Sequence, residues 1–161
     1  MKIIIHDSKN LKTSSNDIVL TESKYHCIGC FKCWFKTPLE CCQSDEVKDL
    51  GKLFLSCDEL IIISKCTCGS YSSKVKKILE RSLSYVEPYF EMRSKNIHHK
   101  IRRKNKLTMS VYFYGNITER SKQIAKKLIY NNAINYNATI EKIDFFNNIR
   151  EIEKIIWNIY M

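Results

Sequence analysis

No apolar run in this chain approaches the roughly eighteen residues that span a bilayer, and no leader with a basic start and a small-residue cleavage site precedes Lys2 to Ile5. The expectation is a cytoplasmic protein with no membrane partner. Internal repeats and low-complexity linkers are also missing. The 161 residues therefore read as one domain, 1–161, long enough to bury a core without disulfides. In the cytoplasm the eight cysteines are expected to be reduced or ligated, not paired. No helix-turn-helix, finger or RNA-recognition signature occurs.

The formal charge of +10 is local: Arg93 to Lys106 holds seven cations, two histidines and no acid, while outside it 20 cations face 17 anions. A patch of this kind can meet phosphates. It lacks the interleaved aromatics that stack bases, however, and Lys, Ile and Asn are frequent along the whole chain. The segment 91–106 is accordingly read as a solvated connecting loop, with His98 and His99 at its surface, and nucleic acid is set aside as a partner.

What the chain does have is cysteine. CIGCFKCWFKTPLECC, from Cys27 to Cys42, puts five of the eight cysteines into sixteen residues. Cys27, Cys30 and Cys33 stand at two-residue gaps, and each gap turns the backbone enough to aim successive sulfurs at a common point. Cys41 is the candidate fourth sulfur, with Pro38 folding the chain back. No second C-x2-C or H-x3-H follows, which argues against structural zinc and favours a four-thiolate cluster. Two other uses stay open: plain packing as small apolar residues, and a redox pair.

Around this loop the pattern alternates strand and helix. Short strands are expected at Lys2 to Ile5 and Asp17 to Leu20. Asp45 is expected to cap a helix carrying Val47, Leu50, Leu53, Phe54 and Cys57 on one face. ELIIIS, Glu59 to Ser64, reads as a strand buried on both faces, hence central in a parallel sheet. A second helix runs from Ser72 towards Pro88, a strand spans Leu107 to Tyr114, and Thr118 caps a third helix. A strand at Ala138 to Phe145 and a final helix at 148–160, with Ile149, Ile152, Ile155, Ile156 and Ile159 on one side, complete the chain. Such alternation means parallel strands with right-handed crossovers, an α/β three-layer sandwich whose ligands sit outside the carboxyl ends of the strands.

Two stretches carry a resemblance. The cysteine loop followed by Trp34, Pro38, Cys41 and the acidic Asp45-Glu46, and SKCTCGSYSSKVKKILERS from Ser64 to Ser82 with its Glu80-Arg81 pair, together resemble the flavodoxin-like NAD(P)H-dependent FMN reductases. Within the same group, iron–sulfur flavoproteins hold a [4Fe-4S] cluster on a similar cysteine set, which here would be Cys27, Cys30, Cys33 and Cys41. The resemblance implies a flavodoxin-like α/β/α sandwich with FMN at the carboxyl edge. The isoalloxazine would lie against Ser64, Cys66, Thr67, Cys68, Gly69, Ser70 and Tyr71, with Gly115 and Asn116 as the neighbouring wall. It further implies NAD(P)H as electron donor, stacked on the flavin without a fingerprint of its own, a small-molecule or protein acceptor, and a homodimer.

The amino end departs from that pattern. HDSKNLKTSSND has no glycine, and only twelve residues separate Ile5 from Ile18, so the first crossover helix is expected to be truncated or absent. Thr13, Ser14 and Ser15 are the candidates for the flavin phosphate. Two classes therefore stand side by side: an FMN-dependent oxidoreductase or electron-transfer flavoprotein, and a non-catalytic flavodoxin-like protein with a degenerate flavin site, acting as electron carrier or binding module.

Overall fold

The structure, a computed structural model, describes residues 1–9, 11–93, 95–102 and 106–160, with side chains up to residue 156. Arg103, Lys104 and Asn105 of the basic segment and the Ile159 side chain lie outside the described residues. The elements run β1 (Lys2–His6), β2 (Ile18–Leu20), α1 (Lys32–Phe35), α2 (Leu50–Ser56), β3 (Glu59–Lys65), α3 (Ser73–Glu80), a 3₁₀ segment (Arg81–Tyr85), β4 (Val86–Arg93), β5 (Asn96–Ile101), β6 (Leu107–Tyr114), α4 (Glu119–Tyr136), β7 (Ala138–Phe146) and α5 (Ile149–Tyr160). Five strands pair in parallel in the order β2-β1-β3-β6-β7, which is the α/β sheet the alternation predicts. Among the described residues no helix is long and apolar enough to cross a membrane.

The central strand explains the layers. Leu60, Ile61, Ile62 and Ile63 are all buried, and successive side chains of a strand point to opposite faces. Leu60 and Ile62 join the larger core with Leu50 and Phe54 of α2, Val75 and Ile78 of α3, and Ala125 and Ile129 of α4. Ile61 and Ile63 join Ile4, Tyr112 and the α5 residues Ile152 and Ile156. Helix ends follow their caps. Ser72 Oγ accepts the Val75 N–H at 3.4 Å, Thr118 Oγ1 accepts the Ser121 N–H at 3.2 Å, and Asn137, left-handed at φ 51°, closes α4.

Between β1 and β2 there is no helix among the described residues. Residues 7–9 and 11–17 form a strap instead. Leu11 packs on the smaller core, and the Ser14 carbonyl accepts the Asp17 N–H at 3.2 Å just before β2 begins. The smaller face is thus covered by α5 and this strap.

Three expectations change. The basic connecting loop is largely an antiparallel β4–β5 hairpin. Pro88, which has no N–H to give, falls where the pairing shifts between Val86 and Phe90. Arg93 is not simply solvated: it donates to the Ile134 carbonyl at 2.6 Å and the His99 carbonyl at 2.8 Å, fixing the hairpin to the end of α4. Asp45 does not cap α2, which starts later at Leu50 behind Asp49. The second helix stops at Glu80 and tightens into the 3₁₀ segment well before Pro88, because Arg81, Ser82, Ser84 and Tyr85 all turn inward.

Gly51 lets α2 meet that segment. A Cβ there would stand 2.1 Å from Ser84 Oγ and 2.9 Å from the Leu39 carbonyl oxygen. Gly51→Ala is therefore expected to destabilise the fold by about 1–3 kcal/mol, the usual cost of overpacking, despite the better helix propensity of alanine. Urea unfolding of the two proteins checks it; equal midpoints would show that α2 and the 3₁₀ segment separate freely.

Candidate functional site

Two chemistry-bearing places stand out, the carboxyl edge of the sheet and the cysteine loop. At the edge, the chain leaves β1 towards β2 on one side, whereas β3 leads towards β6 on the other. The strand order reverses between β1 and β3, the position where open α/β sheets form a crevice. Asp7 follows β1 directly and spans this point. Its Oδ2 accepts the Lys65 N–H at 3.0 Å, and its Oδ1 accepts the Tyr114 hydroxyl at 2.8 Å. Burial, then the Asp7 hydrogen bond and charge, push the Tyr114 phenol up, so it stays a donor. His6 is 3% exposed, and burial, only partly offset by a Ser8 backbone hydrogen bond and the Asp7 charge, pushes its pKa down.

The loop after β3 closes quickly. Thr67 and Ser70 exchange backbone hydrogen bonds of 2.8 and 2.9 Å around Cys68 and Gly69, both at positive φ. A Cβ on Gly69 would lie 2.7 Å from the Ile124 side chain, so this glycine seats the turn on α4. Gly115 has φ +119° and faces open space, its nearest would-be contact being Lys65 Cγ at 3.8 Å. Thr67, Cys68 and Asn116 are exposed; Cys66 is half-buried, and burial pushes its thiol up.

Not every expected residue joins this shelf. Tyr71 is only 3% exposed, stacks on Phe113 at 5.5 Å between ring centroids and takes a hydrogen bond from Asn132, so its ring belongs to the core and is not offered to a flavin. Ser64 is fully buried and accepts the Ser72 N–H at 2.8 Å, which closes the loop onto α3. Thr13, Ser14 and Ser15 lead into β2, whose Ile18 pairs with Ile3 near the start of β1. They therefore approach the amino edge of the sheet, opposite to Cys66–Ser70 and Gly115, because the strap must descend the full strand before a parallel β2 can begin.

The cysteine loop, residues 21–49, is held by Arg81. Its Nη1 donates to both carboxylate oxygens of Asp45 at 2.5 Å and to Ser23 Oγ at 2.9 Å, and its Nη2 donates to the Gln43 carbonyl at 2.8 Å. The Arg81 and Asp45 side chains are 0% and 2% exposed. Burial pushes the Asp45 carboxyl up, but the Arg81 hydrogen bond, backbone donors and the Arg81 charge outweigh it and hold it below the ordinary value. On Arg81, burial opposes the charge, and Asp45 and the neighbouring Cys41 thiol more than offset it. Trp34 Nε1 donates to the Leu83 carbonyl at 3.1 Å and its ring meets Phe31 and His99, tying the loop to the 3₁₀ segment and the hairpin.

All eight cysteines are free thiols, and among the described residues no group of three or more potential ligands is set to hold a metal ion. Burial and then the nearby Cys41, Cys27 and Cys30 push the Cys33 thiol up to about 11. Cys30 turns instead to Cys42, with the two sulfurs 3.3 Å apart. The left-handed backbone at Gly29 and Phe31 redirects the chain on either side of Cys30. The sequence reading missed Cys42, Asp7, His6 and the role of Arg81. The Cys41-Cys42 doublet and a carboxylate placed at the end of β1 were the available signals.

A scan against protein-family models, a search of curated proteins and a search of solved structures each find no match.

Asp45→Ala leaves the Arg81 charge buried and is expected to cost about 3–5 kcal/mol in urea unfolding. A carboxyl whose folded pKa is depressed stabilises fully above its unfolded pKa, about 3.9, and loses that contribution as pH falls through the lower folded value. The stability gap between wild type and Asp45→Ala should accordingly be whole at neutral pH and narrow below about pH 4. A gap independent of pH down to full acid unfolding would show that Asp45 acts without its charge.

Proposed function

We propose that the chain is an FMN-dependent oxidoreductase or electron-transfer protein on a flavodoxin-like frame, with NAD(P)H as the electron donor. The observation that carries this reading is the parallel sheet counted 2-1-3-4-5, the flavodoxin strand order, with a shelf at the carboxyl edge where the order reverses, on which Lys65, Thr67, Cys68 and Asn116 are exposed and Gly115 faces open space. The shelf suits the ring side of the flavin: the turn projects beyond β3, and the missing Cβ of Gly115 lets a planar ring approach the backbone. The phosphate side departs from a helix-terminus cradle, since among the described residues no helix lies between β1 and β2. Anchoring of the phosphate falls to the start of the strap, where Ser8 and Lys9 follow Asp7.

Bound FMN would supply hydride and electron transfer, which this protein's side chains do not themselves perform. The chain's part is to orient and to tune. Lys65 brings a cation to the shelf, with its backbone fixed by Asp7, and a cation there favours the anionic reduced ring. Tyr114, held protonated, keeps Asp7 in place between β1, β3 and β6. The second reading, a flavin-free binding module, is favoured by the absent first helix and by the burial of Tyr71 in the core.

Visible absorption of anaerobically purified protein, followed by titration with FMN and with riboflavin, tests the proposal. Flavin bands are expected, and FMN should bind less than about tenfold, or ~1.4 kcal/mol, more tightly than riboflavin because the phosphate lacks a helix terminus. Colourless protein that takes up neither compound would leave the binding module. In flavin-loaded protein, Lys65→Met should make the two-electron midpoint potential more negative by on the order of 30 mV, read by dye-equilibrated titration.

A further inference from the structure

The cysteine loop carries a second chemistry that does not depend on flavin. We infer that Cys30 and Cys42 form a reversible dithiol–disulfide couple that exchanges electrons with low-molecular-weight disulfides. Their sulfurs stand 3.3 Å apart and both residues are exposed, whereas Cys27, Cys33 and Cys41 are each part-buried. A disulfide bond is about 2.05 Å long, so closure needs an approach of only about 1.3 Å.

The surroundings hold the two arms of the loop together. Gln43 Nε2 donates to the His26 carbonyl at 3.0 Å, its own carbonyl accepts from Arg81, and the Cys41 N–H donates to the Lys48 carbonyl at 2.8 Å. Cys30 and Cys42 thus flank a cross-link that already closes the loop, and the ordering cost of bringing distant cysteines together is met by the fold. The C-x2-C spacing points to Cys30 with Cys33 or Cys27, but among the described residues the sulfur–sulfur hydrogen bond joins Cys30 to Cys42. Cys41 is part-buried, unlike the exposed pair.

Exchange proceeds in two displacements. The Cys30 thiolate attacks one sulfur of a disulfide R–S–S–R and expels RS⁻, leaving a mixed disulfide on Cys30. Cys42 then gives up its proton, attacks the Cys30 sulfur and expels the second RS⁻. The bond formed is Cys30–Cys42 and the bond broken is that of the substrate. Two electrons pass from the protein dithiol to the substrate disulfide, and the two thiol protons go to the released thiolates. Cys30 lies in an exposed run from Ile28 to Lys32, whereas Cys42 sits between the part-buried Cys41 and Gln43, which marks Cys30 as the attacking one. A small disulfide reaches both sulfurs without a docking surface.

The test is oxidation of the full-length reduced protein with glutathione disulfide, acid quenching, alkylation of remaining thiols and peptide mapping by mass spectrometry. Wild type should lose two of its eight thiols and yield a Cys30–Cys42 cross-linked peptide. Cys42→Ser should stop at a glutathione adduct on Cys30, its yield at least tenfold above that of wild type, and Cys30→Ser should leave Cys42 free. Cross-links to Cys33 or Cys27, a stable adduct on wild type, or no reaction would overturn the inference. So would iron on the anaerobic protein that shields Cys30 from alkylation. Should either variant fail to fold by circular dichroism, the wild-type map alone decides.

Discussion

The buried ion pair between Arg81 and Asp45 is the constraint on which the unusual part of this protein rests. Twenty-nine residues separate β2 from α2, and apart from the short α1 they have no secondary structure with which to hold themselves. Arg81 gathers them by binding Asp45, Ser23 and Gln43 at once. Removing two charges from water is costly, so such a pair adds little net stability over apolar packing. What it contributes is position. A guanidinium with five fixed donors accepts only one arrangement of the loop around it. That arrangement sets Cys41 beside Arg81 and brings the arms of Cys30 and Cys42 together.

Seating Arg81 imposes conditions elsewhere. The 3₁₀ segment must bury Arg81, Ser82, Ser84 and Tyr85, and α2 must pass close enough that only glycine fits at position 51. Trp34 then links the cysteine loop to the backbone of this segment and, through His99, to the hairpin. The hairpin in turn is fixed to α4 by Arg93. Cations that look like a diffuse basic patch in the sequence are in part structural pins.

The opposite side of the molecule is organised by an absence. A parallel β1–β2 pair joined by so short a strap has no room for a helix, so α5 and Leu11 help to cover the smaller core in its place. The same economy removes the helix terminus that would meet an anion at the carboxyl edge. The edge keeps its turn, its open glycine and the Asp7 link between three strands. A planar ligand held chiefly by its ring suits such an edge better than one held chiefly by its phosphate.

Much of the frame was legible because it depends on local pattern. ELIIIS can only be a strand buried on both faces, Thr118 and Ser72 cap helices through their own hydroxyls, and the distance from Ile5 to Ile18 rules out a full crossover helix. Residues whose role depends on distant partners were not legible. Tyr71 goes to the core because Phe113 and Asn132 come from elements far along the chain, and Asp45 leaves its capping position because Arg81 lies 36 residues away. The basic segment reads as a loop because Pro88 and a run of cations obscure a hairpin that α4 stabilises from outside. The sequence by itself determined the order of the five parallel strands and the longer helices, and the concentration of thiols in one loop, since periodicity, caps and composition act over a few residues. Only the tertiary structure decided which sulfur faces which and which side chains share an edge, because those outcomes turn on contacts that no neighbouring residue encodes.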